Sequence, residues 1–209
     1  RNGIVKKSSL SDYSHPRTSG VIAVKLADDD GLIGVALTEG KSDIFLGTSD
    51  GMTIRFEETQ VRSMGRVSRG VKGIKLRKGD EVVSMVVVDS GSDGSLLTVC
   101  EKGFGKRTGL EDYRIQSRGG VGIINIKTSD RNGKVVSLKG VEDKDEVMLI
   151  TSQGIVMRTG LEEIRRIGRN TQGVRLMNIK GGDKLVAVEK IVSEEADDAG
   201  TVSEDTKQD

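Results

Sequence analysis

The fold is decided by residues 43–56, DIFLGTSDGMTIRF, in which two runs of β-forming residues flank Asp50-Gly51. An Asp-Gly pair between such runs predicts a hairpin, because its turn needs a positive φ that glycine adopts without strain. The pattern returns as a turn glycine followed four residues later by a base, at intervals of 48, 52 and 51 residues. The four copies are GIVKK from Gly3, GMTIR from Gly51, GFGKR from Gly103 and GIVMR from Gly154. The chain is therefore an internal repeat of about 50 residues.

Two further landmarks follow each hairpin in the same order. The first reads LSDY, ETQV, LEDY and LEEI, and the second is Gly-Val with an apolar strand, starting at Gly20, Gly70, Gly120 and Gly173. Each unit then closes on a run rich in valine and isoleucine, as in EVVSMVVV, which is typical of a buried strand. Four strands in about 50 residues is the size of a propeller blade. We predict an all-β fold of about four blades, each of four antiparallel strands.

The repeats divide the chain into one β domain and a tail. We expect the domain over residues 1–192, with units of approximately 1–50, 51–102, 103–153 and 154–192. The first unit begins inside its hairpin turn, without the outer hairpin strand of the other units, which is typical of an N-terminally truncated fragment. Residues 193–209 hold seven acids and one lysine and little apolar content, which predicts an acidic disordered tail.

Composition excludes several classes of function. The single cysteine, Cys100, excludes an internal disulfide framework, and the single histidine, His15, excludes a His-based metal cluster. No apolar run approaches the ~20 residues of a membrane span. No nucleophile–base pair stands out, so an enzyme acting alone is the least favoured class, and we expect neither a metal nor a cofactor in this domain. The net charge of +1 combines a tail of −6 with a body of +7, which suggests a polyanionic partner.

The basic residues concentrate in the loop between the second and third strand of each unit. Its four copies, residues 14–19, 62–69, 114–119 and 165–172, contain no acid, although the average frequency would give about four. They contain nine arginines: Arg17, Arg62, Arg66, Arg69, Arg114, Arg118, Arg165, Arg166 and Arg169. Because equivalent loops of a repeat array lie on one edge, we expect one continuous basic stripe.

A basic stripe of this kind fits a phosphate backbone. Arginine forks bind phosphate oxygens bidentately, and the absence of aromatic residues from the loops disfavours stacking on single-stranded bases. We therefore predict that double-stranded DNA is bound and bent at this edge. Six basic residues of the hairpins enter the loops from one end: Lys6, Lys7, Arg55, Lys106, Arg107 and Arg158. All of them except Lys6 are added to the predicted DNA-binding set. Two other interpretations are a merely solvated charged face and a propeller scaffold for protein partners, although scaffold rims usually carry aromatic anchors.

These residues resemble a known family, the C-terminal domain of the DNA gyrase A subunit. The resemblance covers residues 1–192 and is most specific at residues 167–174, IGRNTQGV. The segments MTIRF with VRSMGR (52–66) and GFGKRT with EDYR (103–114) are also similar. It implies a β-pinwheel, a propeller-like ring whose blades exchange strands. It also implies a role in wrapping DNA along the basic rim, so that ATP-driven strand passage by the holoenzyme yields negative supercoils.

The family's gyrase-A box has a degenerate counterpart here, Gln116-Ser117-Arg118-Gly119-Gly120-Val121-Gly122, with Ser117 and Val121 where bases are expected. The resemblance further implies that the catalytic residues of this type II topoisomerase lie outside the chain. The implied partners are double-stranded DNA, the remainder of the gyrase A subunit and the gyrase B subunit in an A2B2 holoenzyme. The isolated domain is expected to be monomeric and cytoplasmic. The related domain of the topoisomerase IV A subunit is the alternative within this class.

Overall fold

Strands and short turns make up the regular structure of the computed structural model, which describes residues 1–191. The predicted acidic tail at 193–209 lies outside the described residues. Residues 1–191 contain 13 strands, β1 to β13, and four 3₁₀ turns, at Leu10–Tyr13, Glu58–Gln60, Leu110–Asp112 and Leu161–Glu163. In chain order, the strands are Ile4–Val5, Ser42–Thr48, Met52–Glu57, Val71–Lys72, Val82–Asp89, Ser95–Cys100, Phe104–Gly109, Ile123–Ile124, Val135–Val141, Glu146–Thr151, Val156–Gly160, Val174–Arg175 and Leu185–Ile191. No helix in this part of the chain is long and apolar enough to cross a membrane.

The strands form four antiparallel sheets, which confirms the predicted all-β repeat. Two sheets have four strands, in the orders β5-β2-β3-β8 and β9-β6-β7-β12, and the others are β13-β10-β11 and β1-β4. In the second, third and fourth units the third strand leaves its own sheet: β4, β8 and β12 pair with β1, β3 and β7 of the preceding unit. This exchange of strands between neighbours confirms the β-pinwheel.

The closing strands mark the inner side of the array. β5 packs against β9, and β9 packs against β13, so the exchanged pairs lie at the outer ends of the sheets. Apolar cores fill the space between consecutive sheets; Phe45, Leu96, Tyr113 and Ile126 belong to the one between the second and third units. Their burial stabilises the array because each sheet alone would leave both faces in water.

Aspartates lock two of the hairpin turns. Asp80 Oδ1 accepts from Ser49 Oγ at 2.9 Å and from the Asp50 N–H at 3.0 Å. Asp183 Oδ1 does the same with Ser152 Oγ at 2.6 Å and the Gln153 N–H at 3.1 Å. Burial alone would raise the pKa of Asp183, but these donors outweigh it and hold the pKa below its ordinary value. The acids at these turns are structural.

The first unit lacks the third and the closing strand that were predicted for it. Residues 20–26 and 32–37 form no strand, and the side chains of Ile22, Val35 and Leu37 are exposed. In the other units the closing strand pairs with the first hairpin strand, as β5 does with β2, and the first unit has no such partner among residues 1–191. A strand without a ladder partner leaves its backbone groups unpaired and does not persist.

The third strands are also shorter than predicted, and one register differs. In the third unit the counterpart of Gly70 and Gly173 is Gly122, which is followed by Ile123, and not the predicted Gly120. Gly122 shares its positive φ with Gly70 and Gly173, and a Cβ at any of the three would meet a backbone carbonyl of the preceding unit. The glycine is needed there because the chain enters the neighbouring sheet at close range.

Candidate nucleic-acid interface

Three of the four arginine-rich loops lie at equivalent places on the outer edge. The loops at 62–69, 114–119 and 165–172 each form a parallel bridge with the preceding unit: Lys7 with Ser63, Arg55 with Ile115, and Arg107 with Arg166. The next hydrogen bonds also match, since the N–H groups of Met64, Gln116 and Ile167 donate to the carbonyls of Lys7, Arg55 and Arg107, each at 2.8 Å. Each loop therefore runs beside the second hairpin strand of the unit before it. The loop at 14–19 forms no such bridge within the described chain.

One arginine occupies the same position in each of these three loops. Each directly follows the buried residue that ends a 3₁₀ turn, and that residue's N–H donates to the carbonyl three residues earlier. All three arginines are exposed, with no ion pair or side-chain hydrogen bond to any residue that the structure describes. We call them the rim trio: Arg62, Arg114 and Arg165. Their guanidinium groups are free to bind an external anion.

The remaining loop arginines fall into two groups. Arg17 and Arg69 are exposed and unpaired among residues 1–191, and the half-buried Arg66 makes no side-chain bond there either. The other group is engaged with protein. Arg118 donates to the carbonyls of Gln60 at 2.8 Å and Lys72 at 3.0 Å, and Arg169 to that of Ile124 at 2.8 Å. Arg166 forms an ion pair with Asp143 at 3.0 Å. These last three help to fix the loops.

The hairpin bases of the third unit are inside the protein, so their assignment to the DNA-binding set is wrong. Lys106 is fully buried and Arg107 is 5% exposed. Lys106 Nζ donates to the carbonyls of Gly168 and Arg169, each at 2.8 Å. Arg107 donates to the Ile164 carbonyl at 2.7 Å and to Asp143 Oδ1 at 2.6 Å. Burial, with the nearby Arg169, lowers the pKa of Lys106 to about 8.

The equivalent bases of the other units are also paired with protein. Arg55 binds Asp43 Oδ2 at 2.6 Å and donates to the carbonyls of Leu110 at 2.8 Å and Tyr113 at 3.0 Å in the next unit. Lys7 pairs with Glu58 of the next unit at 3.3 Å, while Arg158 is exposed but paired with Glu146. Burial alone would raise the pKa of Glu58, yet donors led by Lys7 outweigh it and lower that pKa. Lys7, Arg55 and Arg107 thus connect consecutive units and are removed from the predicted interface.

The box-like segment 116–122 also has mainly internal contacts. Gln60 holds it from the preceding unit, since its Nε2 donates to the Gln116 carbonyl at 3.2 Å and its Oε1 accepts from the Arg118 N–H at 2.9 Å. Gln116 Nε2 is buried without a hydrogen-bond partner among the described residues. Gly119 has a φ of 82°, which explains a glycine at that turn. Ser117 and Val121 are exposed.

Sequence reasoning missed a second row of cations beside the loops. The N–H groups of Lys25, Lys75 and Lys127 donate to the carbonyls of Ser68, Gly120 and Thr171, at 3.5, 2.8 and 2.8 Å. Their side chains are exposed and form no ion pair with any described residue. The signal was present in the sequence, because each lysine follows a positive-φ glycine of the third-strand landmark by five residues. It was hidden in the third unit by the wrong register at Gly120.

Tyr113 and Cys100 have structural environments. The Tyr113 hydroxyl donates to Asn125 Oδ1 at 2.6 Å, and its ring packs edge-on against Phe45 with 5.5 Å between centroids. Burial raises the pKa of Tyr113, and burial together with Glu101 raises that of Cys100 to about 12. Both groups are therefore neutral and inert at physiological pH. No group of three metal-ligating side chains comes together in residues 1–191.

Comparison with known proteins gives consistent results at the levels of family, sequence and structure. The family described as "DNA gyrase C-terminal domain, beta-propeller" matches residues 1–39, 42–89, 94–142 and 145–191. The last three segments begin at the first hairpin strand, whereas the predicted units begin at the hairpin turn, so those unit boundaries stay a prediction.

Similar sequences are DNA gyrase A subunits. That of Salmonella typhimurium is 44% identical over 197 residues, which are 94% of this chain and 22% of that protein. That of Staphylococcus aureus strain MRSA252 is 43% identical over 210 residues, covering 98% of this chain and 24% of that protein. The chain thus spans about a quarter or less of the length of these relatives.

Similar solved structures are domains of two topoisomerases. The C-terminal domain of DNA topoisomerase IV superposes with a TM-score of 0.86 at 27% identity, over 91% of this chain and 59% of that one. The DNA gyrase A C-terminal domain gives a TM-score of 0.82 at 26% identity, over 91% and 63% of the two chains. With four matched segments along the exchanged-strand array, the chain belongs to the family of DNA gyrase C-terminal β-propeller domains.

Proposed function

We propose that this domain binds double-stranded DNA by its phosphate backbone along the outer edge of the pinwheel and bends it. The observation that carries the proposal is the rim trio. Arg62, Arg114 and Arg165 lie at equivalent positions of three consecutive units, exposed and without a described acidic partner. The conserved geometry of the three bridges means that one partner with a repeating charge can contact all three.

The chemistry of the edge favours a duplex. Guanidinium groups recognise phosphate oxygens by paired hydrogen bonds, and such contacts position DNA without reading its sequence. The lysine row of Lys25, Lys75 and Lys127 lies beside the loops and widens the basic surface. No aromatic side chain lies in the loops to stack on single-stranded bases.

Bending follows from the placement of the loops on successive sheets. The sheets are arranged around their inner strands β5, β9 and β13, so contacts on their outer ends lie along a convex surface. A duplex that touches the loops in turn must curve, at a cost of order 1–6 kcal/mol for a 20–30 bp site. Several phosphate contacts are needed to offset this cost.

The role within a larger enzyme rests on family membership. The domain acts as part of a gyrase A subunit, in an A2B2 holoenzyme with gyrase B in the bacterial cytoplasm. It holds the DNA segment for ATP-dependent negative supercoiling, and the catalytic residues of this isomerase lie outside the chain. The similar sequences at about 44% identity are gyrase A subunits, which supports gyrase.

A second assignment, to topoisomerase IV, is supported by the TM-score of 0.86 against that enzyme's domain. The higher sequence identity to gyrase A subunits makes gyrase the preferred one.

Fluorescence transfer between dyes at the two ends of a 30 bp duplex tests binding and bending together. The test variant is Arg62→Glu/Arg114→Glu/Arg165→Glu, and the control is Lys41→Glu/Lys78→Glu/Lys144→Glu. The control changes the charge equally, at exposed lysines outside the arginine-rich loops. We expect the wild type and the control to bring the dyes together, and the test variant to lose both affinity and bending. Equal loss in the two variants would mean that general charge, not the outer edge, governs binding.

A further inference from the structure

Two of the basic loops accept hydrogen bonds on their backbone carbonyls from lysine side chains of the preceding unit. Lys106 Nζ donates to the carbonyls of Gly168 and Arg169, each at 2.8 Å, in the loop that carries Arg165. Lys6 Nζ likewise donates to the Arg66 carbonyl and to that of Ala23 at 2.7 Å. Both lysines occupy the same position in their hairpins, three residues after the turn glycine, and both contact the loop of the next unit. The contact is therefore a repeated feature.

The second unit achieves the same result with different residues. At the position of Lys6 and Lys106 it has the buried Ile54, and its loop contact is made instead by Gln60. Gln60 donates to the Gln116 carbonyl and accepts from the Arg118 N–H. The backbone of each of the three bridged loops is thus hydrogen-bonded to a polar side chain of the preceding unit. This would not be expected if the lysines served only to fill space.

The neighbouring residues of β7 act on the same loop. Thr108 Oγ1 donates to the Ile167 carbonyl at 2.8 Å, and the Ile167 N–H donates to the Arg107 carbonyl at 2.8 Å. With Lys106, these contacts engage three successive carbonyls, from Ile167 to Arg169. The loop backbone is fixed against β7, while the side chain of Arg165 stays exposed.

We propose that Lys106 and Lys6 are positioning residues, each of which holds the backbone of one basic loop so that its arginines are presented to DNA. Neither lysine touches the DNA. This inference rests on the proposed function, but its structural half can be measured without any DNA. Preorganising a loop lowers the cost of ordering it on binding, so the loss of either lysine weakens binding through the arginines of one loop only.

The test uses Lys106→Met and Lys6→Met in the full chain. Met157 stands at the equivalent position of the fourth unit, so the array already accommodates methionine there. Hydrogen exchange then reports on each loop. The Ile167 and Thr171 amides are reporters for 165–172, and the Met64 and Ser68 amides for 62–69, because all four are hydrogen-bonded. We expect Lys106→Met to accelerate exchange at least tenfold in its own loop and not in the other, and Lys6→Met to do the reverse. Equal acceleration in both loops, or none, would overturn the proposal.

DNA affinity supplies the second readout. We expect Lys106→Met to weaken duplex binding severalfold in the wild type. It should have no further effect when Arg165 is already alanine, because the exposed arginine that it positions is absent. An undiminished effect in that background would show that Lys106 acts by another route and would contradict the proposal. If the wild type itself fails to bind DNA, the proposed function fails and the inference about DNA presentation fails with it. The exchange pattern would still decide whether the lysines hold the loops.

Discussion

Replacing Arg55 tests whether this arginine stabilises the protein or binds DNA. Its guanidinium donates twice to Asp43, from Nε at 2.9 Å and Nη2 at 2.6 Å, and twice to the next unit, to the carbonyls of Leu110 and Tyr113. The two side chains of the pair are 12% and 1% exposed. Arg55→Met therefore leaves Asp43 Oδ2 and the Tyr113 carbonyl without a donor, although Asp43 Oδ1 still accepts from Ser90 Oγ and the Leu110 carbonyl still accepts from the Tyr113 N–H.

Breaking a buried pair of this kind costs about 3–5 kcal/mol. For a domain of this size, about 2–4 °C per kcal/mol gives a fall in Tm of roughly 6–20 °C. The matched control is Arg114→Met, an exposed arginine beside Tyr113 with no described partner, which should change stability by less than about 0.5 kcal/mol. Thermal denaturation measures stability, and duplex binding is measured at a temperature where both variants are folded.

We expect the two variants to show opposite behaviour. Arg55→Met should lose stability and keep its DNA affinity, whereas Arg114→Met should keep its stability and bind DNA more weakly. The double variant Arg55→Met/Asp43→Asn should regain part of the loss, since it removes the unpaired charge but leaves the Tyr113 carbonyl without a donor. The reasoning is refuted if Arg55→Met is as stable as Arg114→Met, or if it weakens DNA binding as much.

Two further predictions concern stability. In chemical denaturation, Gly51→Ala should be about 1–3 kcal/mol more destabilising than Gly79→Ala. Both glycines have a positive φ, but only a Cβ at Gly51 would meet the Ile126 carbonyl. Equal losses of stability in the two variants would contradict the close approach of Gly51 to Ile126. For Lys106, the folded pKa of about 8 lies below the ordinary 10.5, so between these values the unfolded chain holds a proton that the folded chain lacks. Unfolding free energy should therefore rise with pH from 8 to 10, by roughly 1–3 kcal/mol relative to Lys106→Met, and a flat difference between the two would contradict the buried position.

Much of the fold could be predicted because the hairpins are local. Asp50-Gly51 and its counterparts specify a turn, and the apolar runs beside them specify strands, so a repeat near 50 residues already defines a blade. The strands of the first unit could not be predicted in the same way. Residues 32–37 are as apolar as Val82–Asp89, but a strand also needs a partner strand. Pairing between distant segments cannot be predicted from the composition of either segment alone.

The interface was predicted at the level of its loops, and individual side chains were assigned less well. A base at the end of each hairpin suggested DNA contacts, but charge alone does not tell which side chain faces the neighbouring unit. Lys106 could have been identified as internal, because its equivalents include Ile54 and Met157, which indicate a core-facing position. Arg55 carried no such signal, since its equivalents are all basic. All four of these basic residues bind protein, and Lys7, Arg55 and Arg107 bind acceptors in the next unit. A structural contact that recurs in every unit leaves the same sequence pattern as a ligand contact.

Phosphate contacts by the rim trio can be counted from the salt dependence of duplex binding. Each contact contributes about −0.9 to the slope of log K against log salt. We compare the wild type with Arg62→Ala/Arg114→Ala/Arg165→Ala, since alanine removes the contacts without adding repulsion. We predict a slope shallower by about 2 to 3 in the triple variant and unchanged folding. An unchanged slope would contradict the claim that the outer edge of the pinwheel binds the DNA backbone.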